Sequence, residues 1–247
     1  MSQKNSYRIG IDVGGTFTDV VLVEEASGAI FTAKVSTVPS DPSQGCLNGI
    51  DQALLRHDIA ANDITFAVHG TTIATNMLIE GKIAKAGLLT TEGFRDILEI
   101  AYQTRPSLYD VFYQKPKPLI ERCHCIGISE RLGADGEAIL ELDEQSVRDA
   151  ARHLQRENVE AIVISFLHSY RNPVHEQRAR AIVAEECPDI WVTISSDICQ
   201  EYREYPRTST AAVNAVLQPR VAPYLRALEQ ELASRGISAP LHLMTSS

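Results

Sequence analysis

The stretch Ile9-Gly-Ile-Asp-Val-Gly-Gly-Thr-Phe-Thr-Asp-Val20 restricts the folds open to this chain more than any other segment. Apolar residues alternate at Ile9, Ile11 and Val13, the chain turns on Gly14-Gly15, and a second apolar run follows at Val20 to Val23. That pattern predicts a tight antiparallel hairpin. Its tip suits an anion. Two adjacent glycines let backbone N–H groups approach a ligand with no Cβ in the way, and Thr16 and Thr18 add hydroxyl donors. Asp12, at the end of the first strand, would face a phosphate with a negative charge. Such an arrangement is favourable only with a hard cation such as Mg²⁺ between the two. The alternative is an ordinary hairpin with polar residues at its tip, but Asp-x-Gly-Gly-Thr-x-Thr-Asp is more specific than a glycine pair and favours phosphate.

With 247 residues, 44% of them hydrophobic, the chain can bury a core as one large or two small domains. Its formal charge of −9 argues against nucleic acid or an anionic membrane surface as partner. A nucleotide is still compatible, since backbone dipoles rather than net charge hold its phosphates. The polar N-terminus has no apolar export segment and no run approaches 18 apolar residues, so a cytoplasmic protein is expected. The five cysteines are scattered without a CxxC pair and read as reduced thiols. Cys123-His124-Cys125 lacks a second ligand pair, and on a strand its middle residue would point away from its neighbours.

Along the chain, residues 29–38 read as a third antiparallel strand, closed by Pro39-Ser-Asp-Pro-Ser43. Leu47, Ile50, Leu54 and Leu55 give residues 44–57 helical spacing, with Asp41 or Ser43 as cap. A strand at 64–68 leads into His69-Gly-Thr-Thr72 and a helix ending at Gly81, a second strand-turn-helix position where a ligand can sit. With a strand at 85–89, the first 90 residues read as β-β-β-α-β-α-β in one mixed sheet. Residues 90–135, with Pro106, Pro116 and Pro118, read as loop-rich, and Arg95, Arg105, Arg122 and Arg131 there serve either recognition or surface ion pairing. Asp135-Gly136 marks a hairpin between 126–132 and 138–142. Asp143 caps a helix to about 157, a buried strand follows at 161–166, a helix starts at Asn172-Pro173, and a strand covers 191–195; this alternation predicts a parallel α/β layer. His168 falls just past the carboxyl end of the buried strand. Helices at 210–217 and 221–235, separated by Pro219, precede a last strand at Leu241 to Met244, which is expected to continue into further protein.

Taken together, the opening motif, His69-Gly-Thr-Thr72, Leu89-Thr-Thr-Glu-Gly-Phe-Arg-Asp96, Ile128-Ser-Glu-Arg-Leu132, Ser165-Phe-Leu-His-Ser-Tyr-Arg-Asn-Pro173 and Glu201-Tyr-Arg-Glu-Tyr205 resemble the hydantoinase/oxoprolinase family, in the N-terminal part of its A-type subunit. The resemblance implies an α/β fold: a ribonuclease-H-like lobe of the actin/hexokinase/Hsp70 ATPase type with a mixed sheet, plus loop-rich and α/β insertions. It divides the chain into a first lobe at 1–90, an inserted α/β region at 91–200 and the start of the following domain at 201–247. The implied cofactors are ATP and Mg²⁺. Asp12 would be catalytic and organise the metal, Gly14, Gly15, Thr16 and Thr18 would hold phosphates, and His69, Thr71 and Thr72 would form the substrate or phosphate edge, His69 as a catalytic group.

The implied reaction is ATP-dependent ring opening of a cyclic amide, a hydantoin or 5-oxoproline, with a B-type hydantoinase subunit as partner and an oligomeric assembly. Alternatives are a ketone carboxylase subunit of the acetone or acetophenone type, or a non-catalytic nucleotide-binding module. The family's second phosphate loop and adenosine segment follow the strand at 241–244 and lie outside these 247 residues.

Overall fold

Six buried residues in a row at Ala86–Thr91, against strict alternation at Tyr7–Val13, already separate two kinds of sheet in this chain. The computed structural model describes residues 6–38, 42–104, 107 and 109–244. In chain order the elements are β1 (Tyr7–Val13), β2 (Phe17–Glu24), β3 (Ile30–Ser36), α1 (Pro42–His57), β4 (Ile64–Thr71), α2 (Ile73–Glu80), β5 (Ala86–Thr91), α3 (Ile97–Ile100), β6 (Cys125–Ile128), β7 (Arg131–Leu132), β8 (Ala138–Leu140), α4 (Glu144–Arg156), β9 (Ala161–Ser165), α5 (Val174–Glu186), β10 (Trp191–Ile194), α6 (Ser195–Ile198), α7 (Glu204–Ser234) and β11 (Leu241–Leu243). The described residues up to Lys82 and from Arg220 onward form one unit, and Ile83–Pro219 form a second. Asp41 and Arg105, singled out in the sequence, lie outside the described residues.

The first unit is a mixed five-stranded sheet in the order β11-β4-β1-β2-β3. β1, β2 and β3 are antiparallel neighbours, while β4 runs parallel to β1 and β11 parallel to β4. Alternation sends Ile9, Ile11 and Val13 of β1 and Val20 and Leu22 of β2 to one face. There they pack against Leu47, Ile50 and Leu54 of α1 and Leu228 and Leu232 of α7. Each fully buried aliphatic side chain contributes about 1.5–3 kcal/mol. The same alternation sends Arg8, Asp12 and Val21 to the opposite face. α2 stops at Gly81, whose φ of 69° is the left-handed conformation that glycine adopts without a steric penalty.

The second unit holds an all-parallel sheet, β10-β9-β5-β6. Asp143 caps α4 by accepting from the N–H groups of Gln145 and Ser146. Val147, Ala150, Ala151 and Leu154 of α4 pack on the sheet, with Ala179, Ile182 and Val183 of α5 in the same cluster. At Gly87 a Cβ would stand 2.6 Å from Leu154 Cδ1, so a larger residue there would force the buried Leu154 side chain of α4 to repack. Among the described residues no helix is long and apolar enough to cross a membrane.

Three expectations change. The strand near 85–89, grouped in sequence with the opening hairpin, is β5 and pairs with β6 and β9; a strand buried on both faces belongs in a parallel layer. The hairpin expected from 126–132 splits: β6 joins the parallel sheet and only Arg131 and Leu132 pair with β8, after a turn at which Glu130 is buried against Thr91 and His175. The two helices expected around Pro219 are one. Proline removes a single helical N–H, and burial on both sides of it, at Ala211, Ala212, Ala215 and Val216 before and Leu228 and Leu232 after, outweighs that loss.

Candidate functional site

β1 delivers Asp12 to the open face of the first sheet, where the register sets Asp19 of β2 opposite on one side and Gly70 of β4 opposite on the other. Two carboxylates directly across a strand pair repel. Lys34 Nζ relieves Asp19, at 2.9 and 3.0 Å from its two oxygens. Asp12 is exposed and has no cationic side chain within ion-pair distance among the described residues. A hard divalent cation is the group that such a paired oxygen donor set lacks, so the residues fit Mg²⁺. Gly70 keeps the ground beside the carboxylate open: its missing Cβ would lie 3.5 Å from Asp12 Oδ1 and 3.9 Å from Met244 Sδ. The result is a cleft of about 620 Å³ lined by Asp12, Asp19, Val21, Thr71, Thr72, Thr75 and Met244, among others.

Of the residues predicted from sequence, the structure thus brings together Asp12, Thr71 and Thr72. Thr71 Oγ1 accepts the N–H of Ile73 at 3.1 Å, a local turn that starts α2, and Thr72 is its exposed N-cap. Asp19 was read only as the residue that closes the motif, and Thr75 was not singled out. Helical spacing carried the signal for Thr75, three residues past Thr72 and therefore on the same side of α2. The glycine loop is more selective than its sequence implied. Gly14 donates its N–H to Phe17 O at 3.0 Å and so cannot offer it to a ligand. Gly15 is exposed, with no atom within 4 Å of where its Cβ would be, and Thr16 is exposed beside it. Thr18 turns inward instead. It is fully buried, its hydroxyl lies 3.1 Å from that of Thr37, and Thr37 donates to Gly14 O at 2.9 Å. Thr18 therefore braces the loop from below and does not face a phosphate.

His69 is corrected in the same way. It is 1% exposed, on the covered face of β4, and both ring nitrogens are occupied: Nδ1 donates to Ile11 O at 3.3 Å, and Nε2 accepts from the Tyr224 hydroxyl at 3.0 Å. With both ring nitrogens engaged and the ring on the covered face away from the cleft, His69 ties β1 to β4 next to Asp12 and α7 to both. Burial pulls its pKa below the ordinary histidine value, opposed in part by the Ile11 carbonyl and the Asp12 charge.

The stability consequence has a definite sign. Above an unfolded-state pKa of about 6.5 both states are neutral; below it the unfolded chain takes up a proton that the folded one resists, so stability falls as pH drops from about 6.5 toward the depressed folded value. Denaturant titration at stepped pH should show this loss in the first unit, and His69→Gln should flatten that part of the profile. Tyr224→Phe leaves the acceptor Nε2 unsatisfied and should cost about 1–3 kcal/mol.

A mixed sheet opening with a strand–glycine loop–strand, with an aspartate beside the loop, defines the first unit as a ribonuclease-H-like lobe of the actin-like ATPase class. The solved structure of nucleotide-free acetone carboxylase superposes on the chain with a TM-score of 0.88 at 27% identity, covering 98% of this chain and 36% of that one. Residues 8–187 match the hydantoinase/oxoprolinase N-terminal region, and the chain belongs to that family. Caprolactamase subunit alpha of Pseudomonas jessenii is 37% identical over 250 residues, covering 98% of this chain and 36% of the relative. Its solved structure, an ATP-dependent caprolactamase, superposes with a TM-score of 0.84 over 96% of this chain and 35% of that one, at 35% identity. The 5-oxoprolinase of Saccharomyces cerevisiae is 30% identical, over 94% of this chain and 21% of the relative. The chain spans about a third of the length of the first curated relatives it matches.

Proposed function

We propose that this chain is the N-terminal portion of an ATP-dependent enzyme that opens a cyclic amide of the hydantoin, 5-oxoproline or caprolactam type, working in the cytoplasm with a B-type subunit. The observation that carries this reading is Asp12, an exposed carboxylate with no cation of its own, beside a glycine loop and a threonine-lined cleft, in a chain related to a caprolactamase subunit. An amide carbonyl is resonance-stabilised and poorly electrophilic. When bound, Mg-ATP would supply a phosphoryl group to the carbonyl oxygen, which makes the carbon electrophilic enough for water to add; the ring opens as the C–N bond breaks with the protonated amine leaving, and a second water releases inorganic phosphate.

This chain's residues position and neutralise. Asp12 is assigned to the metal, with Asp19 opposite it. The exposed backbone of Gly15 and Thr16 is assigned to phosphate, and Thr71 and Thr72 to the substrate or phosphate edge. Thr18 and His69 hold the loop and strand in register from the buried side. The cleft supplies only this lobe's contacts.

The full-length protein with its B-type subunit tests the proposal. Phosphate release from Mg-ATP should rise about tenfold or more above basal when the matching lactam is added, an activation energy difference of roughly 1.4 kcal/mol or more. The acetone carboxylase likeness supports a second reading, in which a ketone and bicarbonate are required together. Turnover that ignores every lactam and needs both of those would select it, and Mg-ATP binding with no stimulated turnover would select the non-catalytic module.

A further inference from the structure

Cys123 and His124 do not lie on a strand, as their sequence pattern implied, but in a one-turn 3₁₀ helix, Arg122–His124, that precedes β6. Adjacent residues in such a turn can direct side chains to one side, and here they do. The Cys123 Sγ stands 3.6 Å from Glu121 Oε2 and 3.8 Å from His124 Nδ1, and the three ligand atoms all lie within 4.8 Å of one another. In a tetrahedral zinc site, with Zn–S about 2.3 Å and Zn–N or Zn–O about 2.0–2.2 Å, the sulfur-to-nitrogen and sulfur-to-oxygen edges are roughly 3.5–3.7 Å. The two sulfur spacings match those edges to within about 0.2 Å, and the nitrogen-to-oxygen spacing is no longer than 4.8 Å; the Cys123 thiol donates a hydrogen bond to Glu121 Oε2, through a proton that a bound cation would displace.

We propose that Glu121, Cys123 and His124 bind a zinc-type divalent cation in the second unit, with a fourth coordination position left to water or an exchangeable ligand. This site is independent of the hard-cation position at Asp12, because thiolate plus imidazole plus one carboxylate prefers Zn²⁺ to Mg²⁺ or Ca²⁺. It is also the one grouping of three potential metal ligands among the described residues.

The surroundings fit. His124 is 6% exposed and held by its own backbone, whose N–H donates to Glu121 O at 2.9 Å, while Glu121 and Cys123 are exposed, so an ion can enter without the fold opening. Cys123 also borders a cleft of about 850 Å³ shared with Arg95, Asp149 and His153, which gives the fourth position access to a small ligand. Neighbouring cations are otherwise engaged: Arg122 pairs with Asp96 at 2.5 Å, and Arg95 donates to the Arg122 carbonyl at 3.4 Å. Cys125, though close in sequence, is buried and directs its sulfur to Glu121 O at 3.5 Å, so it is not counted among the ligands.

The experiment titrates the chelator-stripped full-length protein with Zn²⁺ and, separately, Co²⁺. Wild-type protein should take up one more equivalent of Zn²⁺ than Cys123→Ser, show a thiolate-to-cobalt absorption band that this variant lacks, and have Cys123 alkylation by iodoacetamide slowed about tenfold or more by Zn²⁺, as read by mass spectrometry. Glu121→Gln should weaken Zn²⁺ binding by about tenfold or more. Both substitutions are at exposed positions, and unfolding measured in chelator should be unchanged. Equal stoichiometry in wild type and Cys123→Ser overturns the proposal. So does alkylation of Cys123 in the wild type at the same rate with and without Zn²⁺, a result that needs no variant to fold.

Discussion

Asp12→Asn in the full-length enzyme should lower lactam-dependent ATP turnover by about 10²–10³-fold, the usual effect of removing one group that stabilises charge in the transition state. The fold should survive. Asp12 is exposed, donates nothing to the core, and opposes Asp19 across the strand pair, so neutralising it removes a repulsion and unfolding should shift by no more than about 0.5 kcal/mol. Asp19→Asn is the informative comparison. It breaks the pair with Lys34, whose partners are 57% and 46% exposed, and such a solvent-screened pair contributes about 0–1 kcal/mol. If Asp12 is the metal residue and Asp19 its opposite number, the first variant loses turnover throughout while the second mainly raises the Mg²⁺ concentration needed. Steady-state kinetics across a Mg²⁺ series measure both. A turnover of Asp12→Asn within about twofold of wild type would remove Asp12 from the mechanism.

What the sequence disclosed follows the range of the interactions involved. The hairpin, its glycine tip and Asp12 were legible because alternation, turn and carboxylate occur within a dozen residues. So were α4 with its Asp143 cap and the parallel order of β9 and β10. His69 was misread since a buried histidine and a catalytic one are written alike; its partner Tyr224 lies 155 residues away, on a helix that the prolines seemed to break. Thr18 was misread for a related reason: alternation puts it on the covered side of β2, yet the attraction of its hydroxyl to a phosphate masked that parity. The strand β5 was assigned to the wrong sheet because consecutive order suggested adjacency, and only its unbroken burial showed otherwise. Cys123 and His124 were set aside partly on strand geometry, and they lie instead in a single turn of 3₁₀ helix that directs both side chains to one side.

Glu176→Ala should destabilise the second unit by about 3–5 kcal/mol, the cost of leaving a buried charge without its counter-charge. Helical position alone places Glu176 one residue after His175 on α5, where it reads as a surface glutamate. It is in fact fully buried. Its Oε1 accepts from the Phe166 N–H at 2.9 Å and the Ser195 hydroxyl at 2.6 Å, and its Oε2 accepts from the Ser196 N–H at 2.9 Å, joining the carboxyl ends of β9 and β10. The balancing charge is Arg207, 1% exposed on α7. It donates to Ser195 Oγ at 3.2 Å, Glu201 O at 2.8 Å and Phe166 O at 2.8 Å. Burial pulls the Arg207 pKa down and the Glu176 carboxylate opposes that pull, so each keeps the other tolerable in the interior. Removing Glu176 orphans two backbone donors and takes away the foremost counter-charge on a guanidinium that keeps its own three acceptors, whereas replacing both members with apolar side chains, Glu176→Leu with Arg207→Met, removes the charge problem together with the pair. The double variant should therefore lose less than the sum of the two single losses. Denaturant unfolding of the three variants measures this coupling, and a loss below about 1 kcal/mol for Glu176→Ala would mean that water, rather than Glu176, balances Arg207.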